Sequence, residues 1–168
     1  MKKHPVLWTV MAVLIVLAAY ANFMIRRGFS AKDEPSGAEK VIARTMRNLA
    51  IPNSARNEKN PLPPSAVNLH DGMEHFADHC AGCHANDGSG KSDIGPNLYP
   101  KPPDMRSAET QSLTDGEIYY TIVNGVRLSA MPASDHANED NWKLVLFIRH
   151  LPNLTPAEEK QMEQLNPK

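Results

Sequence analysis

The chain has two cysteines in 168 residues, and both lie in one five-residue stretch, so no disulfide joins distant parts of this chain. No segment shows the apolar–polar alternation of a half-buried strand, which argues against a sheet. No Ser-His-Asp set, phosphate-binding glycine loop or supported pair of catalytic carboxylates is present, so nothing points to hydrolytic or phosphoryl chemistry. A basic patch for nucleic acid is also lacking: the formal net charge is −1.

The bland total hides an asymmetry. Residues 1–66 carry ten Lys/Arg against four Asp/Glu, or +6, whereas residues 67–152 carry six against twelve, or −6. Net charge bears on steering and association rather than on fold. An acidic domain is drawn toward basic docking patches, and salt weakens that encounter. An ordinary solvated acidic surface would have the same composition.

The motif present is Cys80-Ala-Gly-Cys83-His84. C-x-x-C-H reads as a covalent attachment site for haem c. Residues three apart share a helix face, which lets Cys80 and Cys83 reach two vinyl groups of one porphyrin while His84 turns its imidazole to the iron. Two rivals use the same residues. C-x-x-C alone can be a redox dithiol, but that fold wants a strand before the motif, and Gly72–His79 reads as helix. A zinc site can be drawn from His75, His79 and Cys83, which recur every four residues. A second haem would need a second motif, and there is none.

Haem iron has a second axial position, and a Met there raises the reduction potential. Met131, in Ser129-Ala-Met131-Pro132, is the best candidate, because a loop Met beside a Pro has little core to fill. Met105 is its main competitor. His136 and His150 are weaker candidates, and these two, with His4, His70, His75 and His79, read as surface or packing residues.

Residues 67–152 resemble a class I mono-haem cytochrome c domain. Gly72 and Phe76 precede Cys80 as in that family's first helix. Ile94-Gly95-Pro96-Asn97-Leu98 is similar to its proline loop, Met131-Pro132 to its methionine loop, and Trp142–Leu151 to its last helix. The resemblance implies Cys80 and Cys83 as haem thioethers and His84 and Met131 as axial iron ligands. It also implies a hydrogen bond from the His84 ring to the Pro96 carbonyl, a contact that would orient the ring. The implied function is electron transfer with no catalytic residue, by a free carrier or by the haem subunit of a larger dehydrogenase or respiratory complex. A haem sensor with a labile sixth ligand and a haem-free zinc module are the other classes considered.

The expected fold class is all-α: a small helical domain around one covalent haem, preceded by a transmembrane helix and a basic amphipathic helix. Residues 1–29 start basic at Lys2 and Lys3 and are then uncharged from Pro5 to Ile25, long enough to span a bilayer. Apolar character running past Ala19-Tyr20-Ala21 favours a retained anchor over a cleaved signal. Covalent haem attachment is extracytoplasmic in the bacterial family, so residues 5–25 would tether the domain to the outer face of a cytoplasmic membrane. Residues 30–66 form a linker. It contains an amphipathic helix through Val41, Ile42, Met46 and Leu49, whose apolar side would meet its own domain, a membrane surface or a partner, and a Pro-rich spacer at Asn60–Pro64. Thr114 and Glu117 have capping-box spacing. Gly72 and Phe76 should meet the last domain helix near Phe147, and residues 153–168 should form a peripheral helix.

A domain this small buries surface inefficiently, and haem would supply part of the core. Chain made without haem is therefore expected to be poorly folded across residues 67–152. Calorimetry checks this, and a cooperative, near-native melt of the haem-free chain would contradict it.

Overall fold

The structure, a computed structural model, describes residues 4–136 and 138–166. The basic start at Met1–Lys3 lies outside them. Among the described residues every regular element is helical, as expected. The chain divides into two units at Asp33/Glu34.

The first unit is dominated by α1 (Pro5–Arg27), 23 residues with Pro at its start and Arg26 and Arg27 in its last turn. At 1.5 Å per residue it is about 35 Å long, more than the ~30 Å hydrocarbon layer of a bilayer. None of its residues is buried. It is long and apolar enough to cross a membrane.

The second unit contains α2 (Gly37–Ala50), α3 (Asn53–Arg56), α4 (Ala66–His79), α5 (Ala81–His84), α6 (Ala108–Gln111), α7 (Asp115–Asn124), α8 (Asn138–His150) and α9 (Pro156–Leu165). Three of these helices start with a full capping box: Ser36 with Glu39, Thr114 with Glu117, and Thr155 with Glu158. Each box pairs two backbone N–H groups that a helix start would otherwise leave unpaired.

The core is built on the crossing of α4 and α8, the most extensive contact between elements. A Cβ built on Gly72 would overlap the Lys143 carbonyl and lie 3.2 Å from the Phe147 Cβ, so only glycine lets the helices approach this closely. One turn on, Phe76 meets Phe147 with ring centroids 5.2 Å apart, and both side chains are wholly buried. Each such burial stabilises by about 1.5–3 kcal/mol. Asp71 reaches across to the Lys143 ammonium at 3.1 Å. Helix α7 packs on the other side of α8, where Tyr119 stacks on Trp142 at 4.0 Å.

Two expectations about the flanking segments change, and one helix is added. Helix α9 is not peripheral: Met162 is 0% exposed and joins the core, with α9 packed on α4. The Pro-rich segment is more than a spacer, since Asn60 donates to the Trp142 carbonyl at 2.9 Å and Leu62 packs against the core. Helix α3, not anticipated, lies on α7. There Arg56 pairs with the buried Glu117 carboxylate and also donates to the Asn48 carbonyl.

Helix α2 is attached by polar contacts, Arg44 to Glu109 at 2.6 Å and the Tyr99 hydroxyl to Glu39 at 2.9 Å. Its apolar residues Val41, Ile42, Met46 and Leu49 are all exposed. Packing against its own domain is therefore not what this apolar side does here.

Gly72→Ala should lower the stability of the haem-loaded chain by about 1–3 kcal/mol, the usual cost of overpacking a tight contact. Denaturant unfolding followed by helical circular dichroism measures it. Equal midpoints would mean that α4 and α8 have room to separate.

Candidate haem site

Helix α4 ends in the five-residue motif. Its N-terminus is capped by the Ser65 hydroxyl, which accepts from Asn68 N at 3.2 Å. Its last residue is His79, and Cys80, at φ −109° and ψ −39°, offsets the chain before the short helix α5. Backbone bonding continues through the offset: Cys80 N donates to the Phe76 carbonyl at 2.9 Å and His84 N to the Cys80 carbonyl at 2.9 Å. The motif is thus a helical extension of the element that Gly72 and Phe76 dock against α8.

Cys80 and Cys83 are half-buried free thiols. Burial, with a smaller contribution from Cys83, pushes the Cys80 thiol up to about 12. A thiol held neutral is a poor nucleophile for disulfide exchange, because the thiolate is the reactive form. This chemistry disfavours the dithiol reading.

His84 is 8% exposed, and its Nδ1 is buried with no hydrogen-bond partner. Burial drives its pKa down to about 4, opposed by the Pro103 carbonyl. The ring is therefore neutral at physiological pH, the form in which imidazole binds a metal. Ala85 follows at φ 64°, a positive value for a non-glycine residue that ends α5 abruptly.

The segment after the motif is tied back onto it. Gly90 N donates to the His84 carbonyl at 2.7 Å, the Ser92 hydroxyl to the Cys83 carbonyl at 3.0 Å, and Met105 N to the Gly88 carbonyl at 2.8 Å. Arg106 holds the segment's two ends, with Asp87 at 2.7 Å and Asp104 at 2.9 Å. Pro96 lies in this segment, exposed, with its carbonyl accepting from the Lys101 ammonium. The carbonyl that acts on the His84 ring here is that of Pro103 instead. Two residues on, Met105 is buried in the core at 8% exposure and its N donates to the Gly88 carbonyl.

Met131 belongs to a separate loop between α7 and α8. Val126 N donates to its carbonyl at 3.1 Å, and its own N donates to the Ser129 hydroxyl at 3.1 Å. Gly125, at φ +64°, permits the closure, since a Cβ there would lie 2.8 Å from the Met131 carbonyl. Met131 is half-buried. The structure brings this loop to α4: the His136 ring, five residues after Met131, sits 4.3 Å from that of His75 and 4.4 Å from that of His79. His150 lies elsewhere, with Nε2 2.9 Å from Glu158. Neither of two surface clefts, one over Met73, Phe147 and Gln161 and the other over Arg56 and Thr114, is lined by a residue of the motif.

Sequence reasoning did not reach the Pro103 carbonyl, the positive φ of Ala85 or the meeting of His136 with His75 and His79. Only the i, i+4 spacing of His75 and His79 gave a signal for the last.

A family model described as cytochrome c oxidase, cbb3-type, subunit III matches residues 67–148. Residues 67–148 are a cytochrome c domain. No curated protein matches the chain. A cytochrome c domain implies a haem c cofactor and haem-based electron transfer. The residues present fit that group: two free, half-buried thiols three residues apart, followed by a buried, neutral imidazole with an unpartnered Nδ1.

The Arg106 clamp has a pH signature. Hydrogen bonds from Arg106 hold the Asp104 carboxyl below its ordinary range. The unfolded chain therefore binds this proton more readily, so the contribution is present above the ordinary carboxylate range and lost as pH falls through it. Arg106→Gln should be less stable than the parent at neutral pH, with the gap closing as the medium is acidified below that range. Urea unfolding across a pH series measures this, and a gap independent of pH would contradict it.

Proposed function

We propose that the chain is a membrane-tethered electron carrier. In this reading Cys80 and Cys83 hold one haem through thioethers, and His84 and Met131 are its axial ligands. The observation that carries the reading is the buried His84 imidazole, kept neutral at the end of a helix whose position is set by the core. The haem supplies a one-electron iron couple. The chain supplies the rest. His84 presents a nitrogen lone pair without first losing a proton, and the Pro103 carbonyl and the tied-back segment 86–106 restrain its ring. Met131, if bound, favours the reduced state and raises the potential. A site closed on both axial sides moves electrons without binding a substrate.

Helix α1 would be the anchor, with the haem domain on the outer, periplasmic face of a bacterial cytoplasmic membrane. The acidic composition of residues 67–152 suits donor and acceptor proteins that offer basic docking patches.

The test is a visible spectrum of chain made with a haem-attachment system, oxidised and reduced, beside Met131→Ala. The reading expects sharp reduced α and β bands and a far-red Met–iron band that the variant lacks. A high-spin spectrum that the substitution leaves unchanged would remove Met131 as a ligand, and strong carbon monoxide binding by the reduced parent would favour a sensor.

A second reading is favoured by the family description, which names a subunit of an oxidase. In it, the same haem domain is the electron-entry subunit of a larger respiratory complex. Membranes solubilised in mild detergent separate the two readings. A subunit migrates with a large haem-containing complex, whereas a free carrier migrates alone.

A further inference from the structure

Three histidines that the haem reading does not use converge on one point. His75 and His79 are one turn apart on α4, and His136 comes from the loop that precedes α8. Their ring centroids are 4.8, 4.3 and 4.4 Å apart. One ring nitrogen from each lies within 4.8 Å of the others. His75 Nε2 is buried and has no hydrogen-bond partner, an arrangement that normally costs free energy unless something fills it.

We infer that His75, His79 and His136 bind one divalent late first-row transition ion and that this ion ties the 125–136 loop to α4.

Three imidazoles are a donor set that suits Zn2+, Cu2+ or Ni2+ and is poor for Mg2+ or Ca2+, which prefer oxygen. Metal–nitrogen bonds of about 2.0–2.1 Å put the nitrogens of a tetrahedral site roughly 3.4 Å apart, so small side-chain rotations complete it. A fourth position is left for water or a carboxylate. Asp78 and Asp140 lie near enough to His75 to act on it electrostatically, and their charge favours a cation. Competing partners are weak. The Asp135 carboxylate is 3.8 Å from His136 Nε2 and its side chain is 99% exposed. His79 is exposed, which gives an ion a path in from solvent. The loop is held on its other side by Ser134 N to the Ile122 carbonyl at 3.1 Å and by the Ser134 hydroxyl to Asn141 at 2.8 Å. An ion at the three rings would add a bond to α4, the helix that carries the haem motif. Binding itself does not depend on the ligand role proposed for Met131.

The experiment uses untagged, haem-loaded full-length chain in detergent, stripped with chelator and titrated with Zn2+ by calorimetry, with bound metal counted by elemental analysis. Hydrogen exchange of the 125–136 amides is followed with and without Zn2+. One ion per chain is expected, with slower loop exchange. Because His79 is exposed, His79→Gln keeps the fold. It and His136→Asn should each weaken binding by more than the ~10–100-fold that loss of an outer-sphere partner costs. His70→Gln, outside the cluster, should bind as the parent does. Substoichiometric uptake, uptake unchanged in both cluster variants, or loop exchange indifferent to Zn2+ would overturn the inference.

Discussion

The close approach of α4 and α8 at Gly72 is the constraint on which the rest of the structure depends. A backbone carbonyl, that of Lys143, occupies the space a side chain would take. With the helices this near, Phe76 and Phe147 interlock without solvent, and α4 cannot slide or rotate freely. The motif is the direct continuation of α4, so the orientation of Cys80, Cys83 and His84 follows from that crossing and not from the loops around it. Interiors are close-packed and transmit small shifts, so a displacement at Gly72 reaches the motif two to three turns away.

Burial then sets the chemistry of the motif. Removing Cys80 and His84 from water disfavours their charged forms and leaves both neutral at physiological pH, for opposite titration reasons. A neutral thiol is quiet toward disulfide exchange, and a neutral imidazole is ready to ligate. The same desolvation makes an unpartnered Nδ1 costly, so the site is incomplete as protein alone. That fits a cytochrome c domain, in which the cofactor is part of the interior. Several acidic residues of the domain are neutralised in ion pairs, Asp104 with Arg106, Asp115 with Arg149 and Glu139 with Lys143.

Much of this was legible in the residues. C-x-x-C-H announces itself by spacing, the two-helix contact by Gly72, Phe76 and Phe147, and the start of α7 by Thr114-x-x-Glu117. What escaped depended on distant contacts. Met162 looks like one apolar residue on a polar helix, and only the groove beside α4 makes it core. Asn60 looks like linker until it finds the Trp142 carbonyl 82 residues away. The resemblance pointed to the carbonyl of Pro96 as the partner of His84, yet four prolines lie between Gly95 and Asp104. The one that acts on the ring is Pro103, two residues before the buried Met105, and no local pattern shows it. His136 lies 57 residues from His79 and carries no helical register to connect them.

We propose that residues 80–84 carry one covalently bound haem. Intact-mass measurement after acidic acetone extraction tests it directly, on chain made with a haem-attachment system and on Cys80→Ser/Cys83→Ser beside it. The expected result is the chain mass plus one haem, resistant to extraction, and bare chain for the double variant. A parent that loses its haem to the solvent, or a double variant that keeps it, would mean that Cys80 and Cys83 do not hold the haem.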